Sequence, residues 1–185
     1  MKPIVMTGLL ALATATGGAA QQVPQQPAAR IPMAKAQPVC PRDAAPIPPE
    51  FAGWTSRKPM TAAVDSASLA DMSLAPGAAV DLALAPTPAV TYALRPSRPG
   101  GSVSHGGMAA VTIGEAGTYR VAIGSAAWLD IVKDGASLES VGHGHGPACS
   151  GIRKMVDFAL KPGSYVLQIV GNGSATLPLT IVKLP

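Results

Sequence analysis

The chain has 185 residues, of which 48% are hydrophobic and 13% are charged, and its formal net charge is +4. The 14 basic residues are scattered, with no run of five like charges and no basic strip interleaved with aromatic residues. This composition does not favour nucleic-acid binding.

The first twenty residues have the pattern of a secretory signal peptide. Lys2 supplies a positive start, an uncharged apolar run follows over residues 3–17, and small residues precede Gln21. The pattern predicts cleavage after Ala19 or Ala20 and export to the periplasm or medium of a bacterium. Because the run is shorter than the roughly 20 apolar residues of a bilayer-spanning helix, no transmembrane anchor is expected.

Residues 21–39 are rich in Gln, Pro and Ala and hold almost no large apolar side chain. Such a segment buries too little surface to offset the entropy of ordering it, so we expect a disordered leader. Residues 40–185 have the length of one ordinary domain and enough Val, Ile, Leu and Ala for a core.

Within 40–185, short runs of alternating apolar residues predict β-strands. The runs lie at 78–86, 89–96, 107–124, 127–141, 152–160, 165–171 and 176–184. Glycines at both ends of 114–117 favour a hairpin there, and Asp134-Gly135 favours a second one because both residue types tolerate positive φ. Residues 61–77 are read as strand or loop.

Many short strands separated by Gly and Pro turns predict an all-β antiparallel sandwich or jelly roll. Pro178 interrupts the last run, and a proline that cannot donate to a strand ladder favours an edge position or a bulge. Asp130 and Asp134 are interpreted as residues of the second turn.

The last seventy or so residues, about 110–185, resemble small exported bacterial β-sandwich modules of the pre-peptidase C-terminal type. The shared features are Gly117 with Tyr119, Asp130 before Ile131, and the run from Leu160 through "KPGSY". The resemblance implies an accessory domain that contacts carbohydrate or protein and has no shared catalytic set.

Two cysteines, Cys40 and Cys149, lie in the predicted mature part of the chain. In an oxidising compartment two cysteines usually pair, which predicts a disulfide between them. Such a bridge would tie the start of the domain to the histidine-containing loop that precedes Cys149.

The loop "GHGHGPAC" holds two of the chain's three histidines, His143 and His145. On an extended strand they would face the same side, and His105 would complete a three-histidine metal site if it converged on them. Neutral imidazoles suit iron, copper or zinc. The interpretation that the sequence favours over a metal site is a glycine-rich turn with incidental histidines.

Two specific metal centres are compared with this pattern. A blue-copper site has Cys, His and a weak Met ligand in an order that this chain does not follow. His-x-His also resembles the first half of a cupin motif, as in non-haem iron dioxygenases such as homogentisate dioxygenase. Those motifs continue with a nearby carboxylate and a later histidine, and here only Glu139, upstream, and His105 could serve.

Two tryptophans are candidates for ligand contacts, Trp54 and Trp128. Trp54 with Phe51 is read either as an exposed platform or as a plug at one end of the sandwich. No nucleophile elbow or phosphate loop occurs. The sequence therefore favours an exported, non-enzymatic binding or accessory protein of unknown ligand or protein partner, with metal binding or dioxygenase activity as the alternative.

Overall fold

The computed structural model describes Cys40 and residues 46–185, so the predicted signal peptide and leader lie outside the described residues. The described chain contains three short 3₁₀ helices, Pro49–Thr55, Ser68–Asp71 and Thr87–Ala89. It also contains β1 (Lys58–Thr61), β2 (Ala79–Ala83), β3 (Ala85–Pro86), β4 (His105–Ile113), β5 (Gly117–Ile123), β6 (Trp128–Lys133), β7 (Ala136–Ser137), β8 (Gly142–Gly144), β9 (Lys154–Leu160), β10 (Gly163–Asn172) and β11 (Thr176–Lys183).

The strands form two sheets that pack face to face, which confirms the predicted all-β sandwich. The six-stranded sheet has the order β1-β2-β11-β5-β9-β8, and the five-stranded sheet has the order β3-β4-β10-β6-β7. All pairings between these strands are antiparallel except that of β1 with β2.

The core lies between the sheets and is built from alternate residues of their central strands. Val121, Phe158 and Leu179 come from the six-stranded sheet, and Val111 and Leu167 come from the five-stranded sheet. All five are at most 2% exposed. Because successive side chains of a strand point to opposite faces, every second residue of these strands faces the core.

The turn at 114–117 was predicted to close a hairpin, and that prediction is wrong. It joins β4 of the five-stranded sheet to β5 of the six-stranded sheet. The prediction at Asp134-Gly135 is confirmed, since β6 and β7 pair across it and both residues have positive φ, 50° and 76°. Turn residues determine the local bend of the chain, whereas packing of the buried side chains determines which strands pair.

Residues 89–96 were predicted as a strand, but the chain forms no ladder there. Instead it crosses the outer face of the five-stranded sheet, held by side-chain hydrogen bonds. Leu94 N–H donates to Gln168 Oε1 at 3.0 Å, Gln168 Nε2 donates to the Leu94 carbonyl at 3.1 Å, and the Tyr92 hydroxyl donates to the Ile169 carbonyl at 3.0 Å. The fully buried Gln168 amide replaces the backbone partners that a strand would supply.

Residues 61–77 combine a short 3₁₀ helix with two isolated bridges, Ala63 to Met108 and Ser73 to Ala110. They run along β4. The two bridges agree with the prediction of strand or loop, whereas the helical turn at Ser68–Asp71 was not predicted.

Pro178 does not mark an edge strand or a bulge, as the sequence suggested. It lies in β11, between β2 and β5, and is in regular register with Asp81. Its carbonyl accepts the Gly124 N–H at 3.0 Å, just beyond the last residue of β5. The nitrogen of Pro178, which has no hydrogen to donate, therefore faces Gly124, beyond the end of β5, so no hydrogen bond of the β5–β11 ladder is lost.

None of the helices in the described part of the chain has the length and apolar character needed to cross a bilayer.

Candidate functional site

A cleft of about 720 Å³ opens along one side of the sandwich, between β6 and β7 of one sheet and β8 and β9 of the other. It exists because the two edge strands are short. The Ile131 carbonyl still accepts the Leu138 N–H at 2.8 Å, after which the chain leaves β6. The first half of β6, starting at Trp128, therefore has no strand neighbour on that side within the described residues.

The floor of the cleft is apolar and belongs to the main core. Leu129, Val156 and Phe158 line it, and each is also a member of the core cluster. Leu138, which is half-buried, extends the same surface from the loop after β7. A cavity with core side chains at its base and polar groups at its rim is the usual form of a small-molecule site, and its volume falls in the typical range of about 300–1,000 Å³.

His143 and His145 lie on the same side of the chain and both line the cleft, as the His-x-His spacing suggested. His143 is opposite Val156 in the ladder, so it points to the inner face of the sheet. His145 Nδ1 is 2.8 Å from the Arg153 carbonyl oxygen. Because a carbonyl only accepts, His145 Nδ1 is the donor of this hydrogen bond. Both side chains are exposed.

His105 does not join the other two histidines. It begins β4, which lies between β3 and β10 on the side of the five-stranded sheet away from β6 and β7, and it pairs with Pro86 and Asn172. It does not line the cleft. Among the residues that the structure describes, no three His, Cys, Asp or Glu side chains lie close enough together to hold a metal ion.

The predicted three-histidine centre is therefore not formed by the described residues. Glu139 lines the cleft with His143 and His145, but these three are not close enough together to hold a metal ion either. Cys149 is held in the disulfide, so it offers no thiolate for a copper site. The described residues therefore supply no three-ligand set of the kind that the iron, copper and zinc centres considered above require.

Trp128 forms one end of the cleft and carries two cations on its ring. The guanidinium carbon of Arg98 lies 4.8 Å from the ring centroid, and Lys154 Nζ lies 5.2 Å from it. The indole N–H donates to Asp130 Oδ1 at 3.0 Å, and the Ser137 hydroxyl donates to the same oxygen at 3.4 Å. These contacts hold the indole plane at the rim.

Lys154 occupies a position that the alternation of β9 reserves for the core. Residues 156, 158 and 160 face inward, and Lys154 continues that row toward the mouth of the cleft. Its amino group reaches the other sheet and donates to the Ala127 carbonyl at 3.0 Å. Burial lowers the pKa of Lys154, and the nearby charge of Arg98 lowers it further, whereas Asp130 raises it.

The interpretation of Asp130 as a turn residue is wrong. It lies in the middle of β6, is 8% exposed, and fixes Trp128 rather than the turn. Two basic residues were also missed: Lys154, which lines the cleft, and Arg98, which does not line it but lies on the ring of Trp128. For Lys154 a signal was available, because a lysine on the apolar alternation of "IRKMVDFAL" is unusual for a strand that buries that face. Nothing in the sequence placed Arg98 near Trp128.

Trp54 is not a ligand platform. Its side chain is 2% exposed and packs with Phe51 and Ile152 on the outer face of the six-stranded sheet. Its indole N–H donates to the Ser150 carbonyl at 2.9 Å. Trp54 is buried, as the plug interpretation expects, but it covers the outer face of the six-stranded sheet and not one end of the sandwich. Its hydrogen bond to Ser150 holds the segment that follows Cys149.

The predicted disulfide between Cys40 and Cys149 is confirmed, with a Cα–Cα distance of 5.6 Å. Cys149 has φ of 62°, so the chain turns sharply at the bridge. Only three residues lie between His145 and Cys149, so the bridge anchors the chain next to the cleft.

No protein-family model, curated protein or solved structure matches this chain. The resemblance to pre-peptidase C-terminal modules therefore stays a prediction.

Proposed function

We propose that the protein is an exported, non-enzymatic binding or accessory protein that captures its ligand in the cleft beside Trp128. The observation that carries the proposal is the opening between the sheets, where core residues Leu129, Val156 and Phe158 line a cavity large enough for a small organic molecule. Loops on a rigid sandwich commonly supply the specific contacts of such sites.

Export is supported by the signal-like pattern of residues 1–20 and is compatible with the disulfide. We expect the protein recovered from the periplasm or medium of a bacterial host to start at Gln21 or Ala20. Amino-terminal sequencing tests this, and a protein that keeps Met1 and stays with the cytoplasmic fraction would contradict export.

The binding proposal is tested with phenylnaphthylamine, an uncharged fluorophore whose emission rises in apolar surroundings. The fluorescence of the probe should rise to saturation when it is titrated with wild-type protein. Ser140→Trp places a large side chain on the rim of the cleft, where Ser140 is exposed, and should abolish binding by occupying the cavity.

Val103→Trp is the matched control, since Val103 is 89% exposed and does not line the cleft. It adds the same side chain and should leave phenylnaphthylamine binding unchanged. Wild-type protein that does not bind the probe, or equal loss in both variants, would refute the cleft as the binding site.

A further inference from the structure

The indole of Trp128 contacts two cations and one carboxylate. The other charged residues that line the cleft, Glu139 and Arg153, are one of each sign. Arg98 and Lys154 both lie against the indole, whereas Asp130 is the one carboxylate that bonds to it in the described structure. Within the described residues the ion pairs are Arg57 with Asp81, Arg120 with Asp157, and Lys183 with Glu115. Arg98 and Lys154 belong to none of these pairs.

The placement of Lys154 is costly for the fold alone. A half-buried ammonium on a core-facing position, with a guanidinium nearby, is disfavoured by desolvation and by like-charge repulsion. A ligand anion at this rim would offset both effects, because it would replace the lost hydration and screen the two cations from each other.

The floor of the cleft favours the apolar portion of a ligand. Leu129, Leu138 and Phe158 present only carbon atoms from their side chains to the cavity. Val141, which is 63% exposed, lies on the loop that borders the same opening. A small inorganic anion would leave this surface in contact with water, whereas a ligand with a hydrocarbon or aromatic portion would cover it.

We propose that the cleft binds amphipathic organic anions, with the apolar portion on Leu129 and Phe158 and the acidic group beside Arg98 and Lys154. This inference rests on the proposed function, since it names the class of ligand that the same cleft takes. Trp128 lies between the two regions and holds the two cations there through cation–π contacts.

The test compares two probes that share one ring system, anilinonaphthalene sulfonate and the uncharged phenylnaphthylamine. Lys154→Gln should weaken sulfonate binding about tenfold, as expected for loss of a charge-assisted contact in a partly buried site. Arg98→Gln should weaken it about threefold because Arg98 is exposed. Neither variant should change phenylnaphthylamine binding by more than about twofold.

Arg95→Gln is the matched control, because Arg95 is an exposed arginine three residues before Arg98. It should leave both affinities unchanged, and thermal melting should show that all three variants are folded. The anion proposal falls if Lys154→Gln and Arg98→Gln leave sulfonate affinity unchanged, if they weaken both probes equally, or if Arg95→Gln has the same effect.

The two proposals fail in different ways. One outcome would support binding in the cleft and contradict the anion preference: phenylnaphthylamine binds, Ser140→Trp blocks it, and sulfonate affinity is the same in Lys154→Gln, Arg98→Gln and wild-type protein. If wild-type protein binds neither probe, both proposals are wrong.

Discussion

Removing the disulfide is expected to lower the free energy of unfolding by up to about 4.7 kcal/mol. Cys40 and Cys149 are 109 residues apart in the sequence, and a cross-link over that distance restricts the unfolded chain by about this amount in the chain-entropy model. The folded segment after Cys149 keeps other contacts. Ser150 still accepts the Trp54 N–H, and Ile152 stays buried at 4% exposure. The change therefore acts mainly on the unfolded state.

The assay is urea unfolding at 25 °C of wild-type protein and of the Cys40→Ala, Cys149→Ala double variant. With a slope of about 2 kcal/mol per molar urea, the midpoint should fall by up to about 2.3 M. Wild-type protein reduced with a phosphine should behave as the double variant does, and native protein should release no titratable thiols. A midpoint within about 0.3 M of wild type, or two titratable thiols in native protein, would refute the reasoning.

Two further predictions concern stability. Gly135→Ala should lower the free energy of unfolding by about 1 kcal/mol in chemical denaturation, because Gly135 has φ of 76° and a Cβ there would be strained although no heavy atom lies near it. Gly101→Ala is the control, since Gly101 is equally uncrowded but outside the left-handed region, and it should be neutral. Equal effects of the two variants would contradict the turn assignment. The pKa of Lys154 is lowered from the ordinary value of 10.5, mainly because burial disfavours the charged amine. As the pH rises toward 10.5, the folded state releases this proton before the unfolded state does, so the free energy of unfolding increases. Wild type should therefore gain stability relative to Lys154→Gln between neutral and alkaline pH, and parallel pH profiles would show that the charge costs nothing.

The sandwich could be predicted from the sequence because its signals are local. Alternation around Val121 and Leu179 identifies strands with one buried face, and Asp134-Gly135 has the backbone preferences of a tight hairpin turn. The pairing of the two cysteines followed from their number and the predicted compartment.

The sheet partners could not be predicted, because they depend on contacts far apart in the sequence. The turn after Ile113 has hairpin chemistry, yet it passes the chain to the opposite sheet. Residues 89–96 alternate as a strand does, yet Gln168, some seventy residues later, binds their backbone instead. Local alternation reports which side chains are buried, and it does not report which backbone groups meet.

Only some residues of the candidate site could be predicted from the sequence, for the same reason. His143, His145 and Trp128 stand out by residue type, and the structure places them on one cleft. The grouping of Arg98 and Lys154 on a single indole requires the fold, because these residues lie 56 positions apart on different segments.

A crystal structure of the mature protein with anilinonaphthalene sulfonate tests the central claim most directly. The account predicts that the sulfonate lies within about 4 Å of Lys154 Nζ, an ion-pair distance, and that the rings contact Leu129 and Phe158. A probe that lies outside the cleft, or whose sulfonate faces away from Lys154 and Arg98, would contradict it.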